Sequence, residues 1–495
     1  MFIPDQKKFL KNAKKANMIP VYKEIVADME TPVSAYVKLD KGAYSYLLDS
    51  VEGGERLGRY SFLGINPSLV FSSSGKKIII IRGKKRITFT TVHDPLYEIK
   101  KLMSEFKFSG DYDIPRFFGG FVGYIGYDMV RFFEDIPQKN PDELSLPDSY
   151  LILADELLIF DHINHTIKIV VNAYIKGSPI IAYKKALRRI DDIIRTLKKP
   201  ANILPFSAGD LSDELLTGIK SNMTEREFIR AVRKAKEYIK NGDIIQVVLS
   251  QRFRMKVTSK PFDIYRALRS VNPSPYLFYL KYGALKLIGS SPEILVRCEN
   301  RTIQVRPIAG TRPRGKDEKE DLKLERELLK SPKEKAEHIM LVDLGRNDIG
   351  RVSQAGSVKV SELMVVEKYS HVMHIVSECV GKLKTNLDQY DVMRATFPAG
   401  TVTGAPKVRA MEIIDELENV KRGPYAGCIC YFSFTGNLDS CITLRTIIVK
   451  DNTAYIQAGA GLVADSNPKK EYEETQNKAK ALLKAIKLAQ SNIKQ

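Results

Sequence analysis

The densest chemistry in the chain lies in residues 305–352. A Gly-Thr turn, Gly310 and Thr311, is set among Arg306, Arg312 and Arg314, which suits an anion. Ser331-Pro332-Lys333-Glu334 then reads as a helix start: serine caps free amides, proline fits the first turn, and Glu334 can reach back to the cap. Glu337 stands three residues further along the same face. Ile339, Met340, Leu341 and Val342 lead on to Asp343 and Arg346-Asn347-Asp348. A basic turn for an anion followed by carboxylates for a hard cation is the pairing needed when an acidic substrate is bridged to protein through magnesium.

The carboxylate pattern recurs near the C-terminus. Asn467-Pro468-Lys469 opens a second helix, and Glu471 and Glu474 again stand three apart on one face. Four facing carboxylates repel unless a cation or ordered water sits among them. Glutamates also favour first turns because they oppose the helix dipole, and capping explains Glu334 by itself, so spacing leaves both readings open. His374, one helical turn after His371, is either a core residue on an apolar face or a proton carrier. Tyr425 and Arg445 flank the segments 426–449, where an arginine either clamps a carboxylate or simply faces solvent.

These groups need elements to hold them. Residues 1–32 read as a helix over 5–16 and a strand over 19–22. Strand-like segments run from 34 to 71 around a polar turn, Glu52-Gly53-Gly54-Glu55, and continue through 69–89 with hairpin turns at Gly75 and Gly83. After a helix over 95–105, the run from Phe118 to Asp128 sets Gly119, Gly120, Gly123 and Gly126 among aromatics, a sign of close backbone packing and not of a phosphate loop. No GxGxxG follows a strand into a helix. Two strands are expected within 151–175 and a basic helix over 180–198, and residues 199–221, with Pro200, Pro205 and Gly209, make the best linker.

A second unit begins with the Thr224/Glu227 capping pair and a helix over 224–241. A long strand over 243–257 follows, then a helix over 261–270 and strands over 276–281, 285–289 and 302–307, the last delivering the Gly310-Thr311 turn. Beyond the central stretch the pattern predicts a strand over 358–368, helices over 370–381, 387–395 and 407–417, strands over 426–434, 440–449 and 453–459, and a long helix from Pro468. Strand runs mixed with helices, without strict alternation, predict an α+β fold: large mixed, mainly antiparallel sheets flanked by helices. The expected division is 1–198, a linker over 199–221, and 222–495.

Composition narrows the class. With 495 residues, 44% apolar and 28% charged, the chain reads as a soluble globular protein of two or three domains. No apolar run approaches the roughly 20 residues of a membrane helix, and the N-terminus lacks a signal-peptide core, so a cytoplasmic address is expected. Cys428 and Cys430 would face one side of a strand as buried thiols, and Cys441 is the one further soft ligand nearby, which disfavours zinc. None of the five cysteines sits in a small-residue turn that presents a nucleophilic thiol, so no glutaminase-type cysteine is expected. The net charge of +19 is spread over many helices and not gathered with aromatics into a stripe, which favours a solvated surface over nucleic-acid binding.

Five motifs carry a resemblance: PIAGTRPRG (307–315), AEHIMLVDLGRND (336–348), YSHVMHIVS (369–377), AGTVTGAPKVRAMEII (399–414) and QAGAGLVADSNPKKEYEET (457–475). With these the chain resembles the chorismate-utilising enzymes, and among them the large subunits (component I) of anthranilate synthases. LLDSVEGGERLGRYSFLG (47–64) and GGFVGYIGYDMVR (119–131) resemble the regulatory half of that family. The resemblance implies conversion of chorismate and ammonia to anthranilate and pyruvate with Mg²⁺. It places the metal ligands at Glu337 and Glu474, with Glu334 and Glu471 auxiliary. Glu293 falls where the general acid for the departing hydroxyl stands, His374 where the histidine of pyruvate elimination stands, and Thr401 in the same pocket. Gly310, Thr311, Tyr425, Arg445 and the backbone of Gly459, Ala460 and Gly461 match chorismate-contacting positions.

Two positions separate siblings by the same resemblance. The isochorismate- and salicylate-forming members carry a lysine base where this chain has Gln246, and the aminodeoxychorismate synthases carry a lysine where it has Ala309. Both differences favour anthranilate. The resemblance also implies tryptophan inhibition through Ser50, Pro275, Tyr276 and Leu277, with Asp49 in the place of the family's usual glutamate, and a separate glutamine amidotransferase subunit as the ammonia source. Aminodeoxychorismate synthase is the alternative within the family, and a basic nucleic-acid-binding protein the alternative outside it.

Overall fold

The computed structural model describes residues 1–50, 58–108, 112–201, 218–369 and 372–491. The expected turn at Glu52–Glu55 and His371 lie outside the described residues, as does most of the expected linker. Among the described residues the strands form two twelve-stranded sheets, and the pairings between named strands are antiparallel. The α+β expectation is met.

Each sheet runs across the 199–221 segment. In the first, Tyr44–Asp49 pairs with Tyr276–Tyr282, Asp49 opposite Leu277. In the second, Gly120–Ile125 pairs with Cys428–Ser433, Gly123 opposite Cys430. The glycine-rich run lets its strand pack closely on both sides: a Cβ on Gly120 would lie 1.9 Å from the Phe432 carbonyl oxygen across this joint, and one on Gly123 2.0 Å from that of Tyr150 on the other neighbour, Ser149–Leu153. Side-chain alternation then builds a sandwich. Tyr46, Phe62, Leu157 and Phe278 from the first sheet meet Val122, Ile152 and Tyr431 from the second in one core. On the outer face of the first sheet, Leu47, Leu63 and Leu158 pack with Ile190 and Leu482 of the flanking helices. On the outer face of the second, Phe121 and Leu151 pack with Leu96, Ile99 and Met393.

Five local expectations need correcting. The strand-like stretch expected from residue 34 begins instead in a helix, Pro32–Leu39, which Thr31 caps and Pro32 opens. The segment expected as a helix over 370–381 is the strand Val372–Lys382. Met373, Ile375, Ser377 and Cys379 are buried at alternate positions, and β-branched Val372, Ile375, Val376 and Val380 suit that pleat better than a helix. The strand expected over 440–449 is two: Leu438–Ile442 lies in the second sheet and Thr446–Lys450 in the first. Gly310 and Thr311 sit within a strand, Ile308–Pro313, at a bulge where Gly310 adopts φ +66°. Three strands and not two fill 149–174.

Candidate active site

Two neighbouring strands change sheet side by side, and this builds the site. Leu285–Ser291 of the first sheet passes through Pro292 and Glu293 into Ile294–Glu299 of the second. Leu438–Ile442 passes the other way, through Thr443, Leu444 and Arg445, into Thr446–Lys450. The crossings are laced together: Ile442 N donates to the Glu293 carbonyl at 3.0 Å, Ser290 N to that of Arg445 at 3.1 Å, and Ser291 Oγ to that of Ile442 at 2.6 Å. A crossing leaves the regular ladder, so its side chains are free to face a cavity between the sheets' ends. That cavity, about 240 Å³, is lined by Glu293, Thr401, His374, Tyr425, Arg445 and Glu337 among others.

Glu293 is buried, and loss of hydration pushes its carboxyl up to about 8. The Thr401 hydroxyl, otherwise buried without a well-formed hydrogen bond, and the Lys478 ammonium act the other way, favouring the charged form. Burial wins, and the acid holds its proton at neutral pH.

His374 lies opposite Thr311 across the strand pair. Its Nδ1 is 3.1 Å from the Gly310 carbonyl oxygen and 3.0 Å from Thr311 Oγ1. A carbonyl can only accept, so Nδ1 carries the proton and Nε2 is left with its lone pair. Burial lowers the imidazole's affinity for a second proton; the Gly310 carbonyl opposes that, and the Arg445 cation reinforces it. The ring is neutral and basic at Nε2.

Arg445 holds φ +47°, a strained value for an arginine, at the crossing. Among the described residues its guanidinium has no ion-pair or hydrogen-bond partner. Burial disfavours its charge, while Tyr425 and Glu474 support it. A half-buried, unpaired guanidinium is a ready partner for a carboxylate.

Gly459 and Gly461 lie opposite Ser250 and Val248 on paired strands. A Cβ on Gly459 would stand 2.6 Å from the Tyr425 hydroxyl, and one on Gly461 2.9 Å from Gln246 Nε2. Ala460 points away, into a core with Val247 and Ala410. Gly310 is reached through its carbonyl, and Ala309 lines the cavity.

The glutamates converge from two helices, Pro332–Gly350 and Pro468–Ser491. Glu337 accepts from Gln246 Nε2 at 3.2 Å, and its proton affinity is raised by burial and by Glu334 and Glu474. Glu471 is raised by burial and by Glu474. Two cations take up part of this charge: Arg312 bonds Glu334 at 3.2 Å and Lys478 pairs with Glu474 at 2.7 Å. Ser331 caps its helix, accepting from Glu334 N, but the Glu334 carboxylate goes to Arg312 and not back to the cap. Asp343 and Asp348 do not join the cluster. Asp343 pairs with Arg346 at the surface, and buried Asp348 with Lys407 at 2.7 Å.

Among the described residues no three His, Cys, Asp or Glu side chains come together as metal ligands. Magnesium, however, is held by one or two carboxylates and the substrate's own oxygens. Glu337 and Glu474 are hard donors of that kind, and they repel each other. Gln246 Oε1, buried and unpartnered beside Glu337, is one more oxygen that nothing satisfies. The residues fit the ion.

Spacing overlooked Lys478. Its Nζ donates to the Gly459 carbonyl at 3.0 Å while pairing with Glu474, so it fixes both the glycine strand and a glutamate. Its position four residues after Glu474 on one helical face was the available signal.

A second, smaller cavity is lined by Ser50, Pro275, Tyr276 and Leu277, with Asp49, Arg297 and Asp439. Ser50 Oγ donates to the Pro275 carbonyl at 2.8 Å. Asp49 is saturated: it accepts from Ser61 Oγ at 2.6 Å, Ser50 N at 3.0 Å, Tyr265 OH at 3.0 Å and Arg269 Nε at 2.9 Å. The shorter acid is therefore spent in the wall. Asp439 accepts from Tyr276 OH at 2.9 Å and Arg297 Nε at 3.1 Å.

Comparison with known proteins gives the family. Residues 44–484 match the chorismate binding enzyme family. The anthranilate synthase component 1 of Acetivibrio thermocellus is 51% identical over 493 residues, 99% of either chain, and that of Aquifex aeolicus (strain VF5) is 50% identical over 477 residues, 96% of either chain. The crystal structure of anthranilate synthase component I from Streptococcus pneumoniae TIGR4 superposes with a TM-score of 0.77 at 38% identity, covering 93% of this chain and 99% of that one. The menaquinone-specific isochorismate synthase of Escherichia coli, 18% identical, shares the fold with a TM-score of 0.70 over 97% of this chain and 98% of that one. The chain belongs to the chorismate binding enzyme family, and within it to the component 1 chains of the anthranilate synthases.

Proposed function

We propose that this enzyme converts chorismate and ammonia to anthranilate and pyruvate with Mg²⁺, takes its ammonia from a separate glutamine amidotransferase subunit, and is inhibited by tryptophan. The observation that carries the reading is the presence, around one cavity, of a protonated acid, a neutral base and an unpaired guanidinium, beside two glutamate pairs.

Arg445 pairs with one carboxylate of the substrate, and the amides near Gly459 and Gly461 approach it closely because no side chains intervene. Glu337 and Glu474 would hold Mg²⁺, which when bound offsets the charge of the ring carboxylate. Ammonia adds at the ring carbon next to that carboxylate, the ring electrons shift, the hydroxyl departs as water with the Glu293 proton, and the ammonium so formed gives up one proton, which balances the one Glu293 lost. His374 Nε2 then takes the ring proton as the carbon–oxygen bond to the enolpyruvyl group breaks. Pyruvate leaves after gaining a proton, and the ring becomes aromatic. Gln246 carries no base that would activate water in ammonia's place, and Ala309 offers no amine to attack the far ring carbon.

The five cysteines are buried, and burial pushes the thiols of Cys298 and Cys379 up to about 11. With its cysteines all buried the chain presents no exposed thiol to glutamine, which supports a second chain as the ammonia source. No described helix is long and apolar enough to cross a membrane. The test is product identity: chromatography of a reaction with chorismate, Mg²⁺ and ammonium should yield ortho-aminobenzoate and pyruvate. The para isomer precursor or isochorismate would overturn the assignment.

A further inference from the structure

The run Gly119–Arg131 leaves one feature unused by the site above. Beyond its strand, Tyr127 N donates to the Gly423 carbonyl at 2.7 Å, and Gly423 N donates to Asp128 Oδ2 at 3.1 Å. The residue so gripped, Gly423, directly follows Arg422, which is 2% exposed. Its guanidinium lies over the Tyr127 ring, 4.8 Å from the centroid, and faces the ring of Tyr425 at 5.5 Å.

Four of the five N–H groups of that guanidinium are used, and each reaches something that shapes the cavity. Nη1 donates to the Val402 carbonyl at 2.8 Å, and Nη2 to that of Val248 at 2.7 Å. Nε and Nη2 hold both oxygens of Glu418, at 3.0 and 2.6 Å. Glu418 Oε1 in turn accepts from Ser250 N at 2.8 Å and Ser250 Oγ at 2.7 Å, and Ser250 Oγ accepts from Gln457 Nε2 at 2.8 Å. Val248, Val402, Tyr425 and Gln457 all line the cavity, and Val402 follows Thr401 directly. A buried ion pair contributes little net stability compared with an apolar pair of the same size. A planar cation with fixed fork geometry does hold several carbonyls in one arrangement, which a lysine cannot do.

We propose that Arg422 is a positioning residue for the chorismate reaction: clamped by Glu418 and roofed by Tyr127, it sets Thr401, Val248 and Tyr425 in register around the substrate. The proposal rests on Glu293 as the acid. Released from Arg422, the Val402 carbonyl lets Thr401 drift from Glu293, which loses a neighbour favouring its charged form. The other groups around Glu293 (Lys478, His374, Arg445 and Glu337) sit on segments that Arg422 does not hold.

The experiment compares Arg422→Lys with wild type in chorismate turnover at saturating ammonium across pH, with thermal melting alongside. Lysine keeps the buried charge against Glu418, so a role limited to that ion pair is satisfied by it. We expect a folded variant whose kcat falls about tenfold or more, as for a sub-ångström loss of alignment. Its KM for chorismate should change less than about threefold, and the alkaline limb of its pH profile should move to higher pH. If Arg422→Lys does not fold, Glu418→Gln/Arg422→Met, which removes both buried charges together, is read in its place. A folded variant of either kind with wild-type kcat and an unmoved alkaline limb overturns the proposal. Glu293→Gln is assayed in parallel: full activity there removes the acid assignment and leaves any loss of kcat at Arg422 to be read separately.

Discussion

Glu293 and His374 stand in opposite protonation states in one cavity, as the proposed acid and base require. The acid is held protonated up to about 8, so activity should fade on the alkaline side as pH rises through that value. The imidazole's pKa is lowered by burial, so the acid limb should lie below the ordinary histidine range. Turnover measured at constant free ammonia should therefore be bell-shaped, with a plateau wider than an exposed acid and histidine would give. The glutamates make a second test. Glu337→Gln and Glu474→Gln should each lower kcat by about a hundredfold or more while the melting temperature holds. Glu334→Gln should be milder, because its carboxylate is bonded to Arg312 and an amide oxygen can keep that contact. Equal loss at all three positions would show the ligands to be assigned wrongly. At this scale the sequence was legible in part. The two glutamate pairs announce themselves by spacing, whereas Glu293 follows an ordinary Ser-Ser-Pro and was found through resemblance alone. Its chemistry comes from burial, which no local pattern encodes.

Crossing strands explain why the elements were harder to read than the residues. Residues 440–449 look like one apolar strand, and the change of sheet at Thr443–Arg445 leaves no glycine or proline as a marker. Two histidines three apart mimic a helical turn at His374, while the alternation of Met373, Ile375, Ser377 and Cys379 carries the true period. Arg422 sits in a Lys-Arg pair that resembles solvated surface. The glycine strand offers an element-scale test. Gly459→Ala should place a methyl against the Tyr425 hydroxyl and the Leu249 carbonyl, at 2.6 and 3.0 Å, raising the KM for chorismate several-fold with a cost of about 1–3 kcal/mol from overpacking. An unchanged KM would mean that this strand does not face substrate. The smaller cavity offers another. Ser50→Phe should raise the tryptophan concentration needed for half-inhibition, because the ring occupies the cavity floor beside Pro275. Wild-type sensitivity in that variant would place the effector elsewhere.

Both sheets are shared between the residues before and after the 199–221 segment, so the molecule should melt as one cooperative unit. A fragment spanning 222–495 would expose the Tyr276–Tyr282 and Cys428–Ser433 edges and should aggregate or stay unfolded, which circular dichroism and sedimentation would report. A soluble, active fragment would contradict that reading of the sheets. Within the first sheet, Tyr276 in the wall of the smaller cavity lies directly opposite Ser291, two residues before Glu293. On the ammonia question, purified chain given chorismate and glutamine alone should be inert, whereas ammonium should support turnover. The central claim is that one cavity, through Glu293, turns chorismate into anthranilate. It is tested most directly by following anthranilate fluorescence with chorismate, Mg²⁺ and ammonium at mildly alkaline pH, for wild type and Glu293→Gln side by side. The account predicts a steady rise for wild type and a rate lower by about a hundredfold or more for the folded variant. No fluorescence from well-folded wild type, or equal rates from the two, would contradict it.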